Sequence, residues 1–440
     1  MKSILLKIIL LFTILNANNI IISPLFYSSY RSLGGTLSTK NDRILLTGMG
    51  FVAKFESKNF NIDLDFYNNR FYGINQKPNE FSNEQGLSWW KTVDEQSNKK
   101  GDKFDFDVAN IKIYYVNNNS ELFLGKFNRH WGNGKSSLSI SNKSPSFPQF
   151  GFNWNINSKL KFEYFHGSLR SLIIDSLNID YYQGIGARSP NLNRFIVGHR
   201  IDIKIFKKLS IGVSEMVIYG IRNLDMMYNI PFVPFWSLQH YLGDLDNLQF
   251  NFDFIYHINE NIDFYGSLLI DEWRPSLTFT DSERNWFAYQ VGIKSKNILF
   301  NNDFTLIEYT WTDHRIYKHR FPINDFYNHG YPIGFWGGPH SEEFYINYNF
   351  NKFNLSFEID YSTSKRGELS EEMLNNQYFN NQDDFERYTT NYESIEIFEL
   401  LVSKNIYKGL NFYVGFSIIN WKNGGFDPFS WSRRCLAVAQ

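Results

Sequence analysis

The feature that most constrains this chain is a strict two-residue alternation of side chains, repeated along its length and joined by connections of two systematically different lengths. Phe60, Ile62, Leu64 and Phe66 alternate with Asn61, Asp63, Asp65 and Tyr67. Phe250, Phe252, Phe254 and Tyr256 alternate with Gln249, Asn251, Asp253 and His257. Leu355, Phe357, Ile359 and Tyr361 alternate with Ser356, Glu358, Asp360 and Ser362, and Phe344, Ile346, Tyr348 and Phe350 with Tyr345, Asn347 and Asn349. Successive side chains of a strand point to opposite faces, so each run is a strand with one apolar and one wet face.

A soluble sandwich would show the same alternation, and the connections decide between the two. Short polar turns fall at 56–58, 117–120, 157–158, 207–208, 259–261, 296–297, 351–352 and 405–408. Long connections fall between them, near 68–104, 128–149, 169–193, 222–246, 274–285, 312–341 and 364–391. The strand-like runs hold about nine to fourteen residues, enough to cross a bilayer at a tilt. Short turns on one side and long loops on the other predict an all-β, transmembrane antiparallel barrel of the outer membrane, with short periplasmic turns and long extracellular loops. The turns count out to 16–18 strands. About eighteen are needed to place both chain ends on the short-turn side, with Pro24–Leu33 as the first strand. The residues after Trp421 are poor strand formers, so the last strand is expected to be incomplete or irregular, and a truncated end at Gln440 is one explanation.

The amino terminus reads as an address. Lys2 and Lys7 supply charge, residues 4–15 a short apolar run and Ala17 a small residue for cleavage, so residues 1–17 are expected to be a signal peptide and 18–440 a single barrel domain. No later stretch is apolar enough for a membrane-spanning helix. The aromatic content, Phe 43, Tyr 27 and Trp 11, suits a barrel's lipid face and interfacial girdles. A net charge of −1 gives no general attraction for nucleic acid. The single cysteine, Cys435, excludes an internal disulfide.

One loop stands apart. Between Gly125 and Pro148 lie Arg129, His130, Trp131, Gly132, Gly134, a run of serines and Pro145. A forked donor beside a flat apolar face suits a sugar, through pairing with a carboxylate and stacking on a ring. The same pair could equally brace the loop inside the barrel mouth. Trp89 and Trp90 in another long loop form either an exposed platform or part of an interfacial girdle. The stretch from His314 to Arg320 contributes Arg315, Lys318 and Arg320, a basic site for acidic polysaccharide, for lipopolysaccharide phosphates, or simply a solvated loop. Asp271 and Glu272 at a strand end read best as a lumen network, because adjacent strand residues point to opposite faces and do not form an acid/base pair. No nucleophile elbow, phosphate loop or metal-ligand spacing is present, so neither catalysis, cofactor nor metal is expected.

These pieces, in order, resemble the Wzi-type capsule assembly proteins. The set comprises Gly125-x3-Arg129-x-Trp131-Gly132-x-Gly134 with Pro145 and Pro148, then Phe195-x3-His199-Arg200-x-Asp202, Asp246-Asn247, Asp271-Glu272, Gly330-Tyr331-Pro332-x-Gly334 and Gly338-Pro339. The resemblance covers about residues 40 to 420. It implies a barrel of about eighteen strands in the outer membrane of a Gram-negative bacterium, acting as a surface lectin that holds capsular or related extracellular polysaccharide. Outer-membrane lipid, lipopolysaccharide and the polysaccharide export machinery are the other expected partners. Residues 18–24 leave no room for the helical plug of some family members. A general porin or solute transporter is the competing expectation.

Overall fold

The structure is a computed structural model and describes residues 19–34, 43–72, 91–92, 103–178, 190–278, 285–370, 372–374, 385–389, 391–407, 410–423 and 431–439. The signal peptide expected at 1–17 and the Trp89–Trp90 pair lie outside these residues.

The chain is an antiparallel meander in which each barrel strand pairs with the next. The strands are β1 (Asn19–Gly34), β2 (Arg43–Glu56), β3 (Phe60–Tyr72), the two-residue β4 (Lys91–Thr92), β5 (Lys103–Asn117), β6 (Ser120–Phe127), β7 (Phe147–Asn155), β8 (Leu160–Ile174), β9 (Asn191–Phe206) and β10 (Leu209–Gly220). They continue as β11 (Asn247–His257), β12 (Ile262–Glu272), β13 (Trp286–Lys296), β14 (Phe304–Thr312), the small hairpin β15 (Tyr327–Asn328) and β16 (Tyr331–Pro332), then β17 (Ser341–Lys352), β18 (Leu355–Gly367), β19 (Tyr392–Tyr407), β20 (Leu410–Lys422) and β21 (Trp431–Ala439). Leaving aside β4 and the hairpin, eighteen strands of the described residues form the wall.

The segment that the sequence marks as a poor strand, 431–439, pairs on one side with Val414–Lys422 of β20 and on the other with Tyr30–Gly34 of β1, so the ring of paired strands is continuous. The neighbours supply the ladder that the residue types alone do not favour.

The alternation sorts the wall as the sequence predicts. Phe252, Leu268, Tyr289, Val291, Ile307 and Phe416 are exposed on the outer face, where lipid is the solvent. The inner face departs from a uniformly wet lining. Toward the short turns it is polar, with Glu163, Arg200, Asp253 and Glu308 all buried. Toward the long loops it is apolar: Phe165, Ile196, Met216, Ile218, Leu269 and Ala288 join one buried cluster with residues of the long connections. Apolar lumen residues are stable only when covered, and the covering comes from two loops that fold inward, 128–146 and 313–340.

Candidate functional site in the barrel mouth

The first inner loop leaves β6 and crosses the lumen. Trp131, Leu138 and Ile140 enter the buried cluster, and the loop closes on itself through the Trp131 N–H to the Ile140 carbonyl at 3.0 Å. Gly132 has φ +106°, which only glycine adopts readily. At Gly134 a Cβ would stand 2.0 Å from Gln290 Oε1 and 2.7 Å from Glu308 Oε2, so the absent side chain is what lets the loop touch the far wall. There the Lys135 N–H donates to Glu308 at 2.9 Å, Gln290 Nε2 donates to the Ser136 carbonyl at 2.8 Å and Lys294 Nζ to the Asn133 carbonyl at 2.6 Å.

At the near wall the loop is held by its arginine and tryptophan. Arg129 Nε donates to Gln149 Oε1 at 2.9 Å, Arg129 pairs with Glu163 at 3.4 Å, and Trp131 Nε1 donates to the same carboxylate at 3.1 Å. Arg129 is 9% exposed and Trp131 3%. Burial pulls the Arg129 guanidinium down to about 10, and the Phe165 ring lies 4.5 Å from its centre. The first-choice sugar pair of the sequence is therefore enclosed, with Arg129 Nε and NH1 and the Trp131 indole N–H bonded inside the protein. His130 is half-buried, and burial lowers it below the ordinary histidine value.

The second inner loop caps the first. Tyr317 OH donates to the Leu138 carbonyl at 2.5 Å and accepts the Phe335 N–H at 3.0 Å. The Ser141 N–H donates to the Ile333 carbonyl at 2.8 Å, and Asn328 Nδ2 donates to the Pro145 carbonyl at 3.0 Å. Pro148 lies in β7, and Gly125 in β6 opposite Gln149. Wall residues grip this loop in turn. Arg194 on β9 gives its three donor positions to the carbonyls of Ile323 (2.5 Å), Tyr327 (2.8 Å) and Pro322 (2.7 Å). Asp271 accepts the Tyr317 N–H at 2.8 Å and Gln249 Nε2 at 2.8 Å. Glu272 closes β12 opposite Trp286, at a register shift. Gly338 has φ +72°, and its carbonyl, just before Pro339, accepts the Thr312 hydroxyl at 2.8 Å.

The basic stretch divides in two. Arg315 Nε lies 2.9 Å from Asp313, and although burial works to raise that carboxyl, Arg315 outweighs it and holds Asp313 below the usual range. Lys318 pairs with Asp325 at 2.9 Å. Arg320 is exposed and donates to the Asp244 carbonyl at 3.0 Å. Of the three basic candidates, Arg320 is the one presented at the surface.

His199 and Arg200 part company. Arg200 faces the lumen and binds Asp253 through NH1 at 2.5 Å and NH2 at 2.9 Å. His199 faces outward and lies 2.9 Å from Glu215. Sequence reasoning missed Glu163, Arg194, Gln290 and Glu308, which hold the inner loops. The available signal was adjacent apolar residues, as in Ile196-Val197 and Met216-Val217-Ile218, where alternation lapses and both faces of the wall must be covered.

The comparisons agree with this architecture. No curated protein sequence matches the chain. Among solved structures it is similar to Wzi of Escherichia coli, described as an outer membrane protein involved in group 1 capsule assembly and a carbohydrate-binding β-barrel, at 13% identity and TM-score 0.56, over 100% of this chain and 87% of that one. It is also similar to OccAB4 of Acinetobacter baumannii at 8% identity and TM-score 0.52, over 96% and 97% of the two chains, and to OccK8 (OprE) of Pseudomonas aeruginosa at 10% identity and TM-score 0.50, over 96% and 98%. At these identities the likeness is one of fold. The sequence itself matches the capsule assembly protein Wzi family over residues 56–428, most of its length. The chain belongs to the Wzi family of capsule assembly proteins.

Proposed function

We propose that the protein is an outer-membrane lectin that holds capsular or related polysaccharide at the cell surface. The observation that carries this reading is the filled mouth. Two inner loops meet in a buried apolar cluster; the first is tied to β8 by Glu163 and to β13 and β14 by Gln290, Lys294 and Glu308, and the second to β9 and β12 by Arg194 and Asp271. A solute channel needs a wet path, whereas a surface receptor needs a rigid platform. Family membership and the carbohydrate-binding description of the E. coli barrel support the same reading.

In this reading Arg129, His130 and Trp131 position the platform, and contact with the polymer falls to side chains presented outward, of which Arg320 is the described basic example. A guanidinium in water-facing position suits the carboxylates of an acidic polysaccharide. No catalytic step is required, since binding alone retains the polymer. Lipopolysaccharide and the export machinery are its proposed neighbours.

The test compares cell-bound with released polysaccharide in cells with and without the gene. Polymer moving into the medium while its synthesis continues supports the lectin; an unchanged ratio overturns it. Conductance in planar bilayers supplies the second arm, because a porin conducts steadily and a barrel with this filled mouth does not.

A further inference from the structure

The connection between β10 and β11, residues 221–246, does not fold into the lumen as 128–146 and 313–340 do. It turns back along the outside of the wall. Phe232 packs on Phe162 at 4.9 Å between ring centroids, on Phe152 at 6.3 Å and on Trp154 at 6.5 Å. Those rings lie on the outward face, near the short-turn ends of β7 and β8. Val213, seven residues down β10 from Gly220, is in register with Ile201 and through it with Phe162. At about 3.3 Å per residue, Phe232 therefore lies roughly 20 Å along the wall from the loop's departure, most of the height of a barrel's apolar band.

The wall beneath is polar where a lipid-facing wall should not be. Tyr164, His166, His199, Glu215 and Tyr219 share the outward face, and each binds the loop. Glu215 accepts the N–H groups of Phe235 at 2.7 Å and Trp236 at 2.5 Å, at the start of helix α1 (Phe235–Tyr241). His199 Nδ1 lies 2.9 Å from the Pro231 carbonyl. His166 lies 2.9 Å from Asn229 Oδ1 and 2.7 Å from Tyr219 OH, and that hydroxyl accepts the Asp225 N–H at 3.0 Å. Tyr164 OH donates to the Tyr228 carbonyl at 3.1 Å.

The loop's own chemistry matches a nonaqueous setting. From Met226 to His240 there is no aspartate, glutamate, lysine or arginine. The charges gather at the two ends, where Arg222 binds Asp246 at 2.8 and 2.6 Å. Prolines at 231 and 234 carry no N–H, and the N–H groups of Met227, Asn229, Ile230, Val233, Ser237 and Leu238 find acceptors within the loop. Irregular backbone at membrane depth is tolerated where protein buries it, and here Tyr228, Phe235 and Leu238 pack into a buried cluster with the wall while the wall's Tyr164, His199 and Glu215 bond the loop's main chain. Its outer side presents Met226 (72% exposed), Ile230 (47%), Phe232 (63%) and Trp236 (55%), continuous with exposed Trp154, Ile201 and Phe252 of the bare wall.

We infer that residues 221–246 form a re-entrant loop lying between barrel and bilayer, whose outer face is solvated by lipid acyl chains. The polar wall residues serve as its fixed receptor. This rests on the barrel fold alone and stands apart from the glycan reading.

The test uses the full chain with Cys435→Ser, which removes the only cysteine. Single cysteines Phe232→Cys and Trp236→Cys carry a nitroxide label, with Phe252→Cys as the lipid reference and Arg320→Cys as the water reference. In vesicles of phosphatidylcholine and phosphatidylethanolamine, the loop labels should collide with oxygen and lose collisions with a water-soluble nickel chelate to the level of Phe252→Cys. Nickel collisions at the Arg320→Cys level would overturn the inference, and so would exclusion of both reagents with spin–spin broadening, the mark of a second copy seated there. Should the cysteine variants not fold, bromine-labelled acyl chains give an independent readout: they should quench more fluorescence in the native protein than in Trp236→Phe, and equal quenching would overturn the inference.

Discussion

Glu163 on β8 takes both donors of the inner loop's signature pair, the Arg129 guanidinium at 3.4 Å and the Trp131 indole at 3.1 Å, in a setting where neither partner is open to solvent. Removing that carboxylate strands a buried cation. Glu163→Ala should cost about 3–5 kcal/mol, while Trp131→Phe, which loses one hydrogen bond and little packing, should cost about 1 kcal/mol. The heat needed to convert the folded to the unfolded band on a gel checks both.

Gly134 sets the distance between loop and far wall. Gly134→Ala forces a methyl group against Gln290 and Glu308 and should displace the loop from β13 and β14. Planar-bilayer recordings should show little current for the native protein and frequent open events for the variant.

Arg320 and Lys318, two residues apart, should separate binding from stability. Arg320→Ala should release polysaccharide into the medium at unchanged unfolding temperature. Lys318→Ala breaks the pair with Asp325 and should lower the unfolding temperature by a modest amount, on the order of 1 kcal/mol for a partly exposed pair. Equal effects of the two on retention would count against Arg320 as a contact.

Three histidines of the second inner loop sit below their ordinary value of 6.5. Burial, with Arg320 adding, pushes His319 down to about 4; burial, with Arg170 adding, pushes His329 down to about 4; burial, with Arg387 adding, pushes His340 down to about 3. The unfolded loop thus binds protons that the folded loop refuses between those values and 6.5, so stability rises with pH across that window. Acidification from about 6.5 toward 4 should loosen the loop, read as faster proteolysis between Asp313 and His340. A flat profile over that range would contradict it.

The outer-wall loop hangs on Glu215. Glu215→Ala leaves the N–H groups of Phe235 and Trp236 without their acceptor, and chymotrypsin should then cut within 221–246 much faster than in the native protein. Arg222→Ala, which frees only the loop's root, should have a smaller effect.

How much of this was legible follows from which interactions are local. The period-two runs around Phe252 and Ile359 sort lipid from lumen without help from distant residues, and the barrel could be read from them. The roles of Arg129 and Trp131 could not, because residue types that suit a sugar also suit a buried brace, and the deciding carboxylate lies more than thirty positions away. The outer-wall loop left local traces, the charge of Glu215 in the row Val213, Glu215, Val217 and His199 between Val197 and Ile201, where the outward face is otherwise apolar. The strand at 431–439 had none, since its ladder comes from β20 and β1.

The ties of residues 128–146 also decide how a pull is borne. In the proposed role, a polymer held above the mouth would tug on the outer loops, and the tension would pass from Tyr317 to Leu138 and then sideways, to β8 through Glu163 and to β13 and β14 through Gln290 and Glu308. Staves five and six strands apart share the load like the two abutments of an arch, and no single hairpin has to resist it alone.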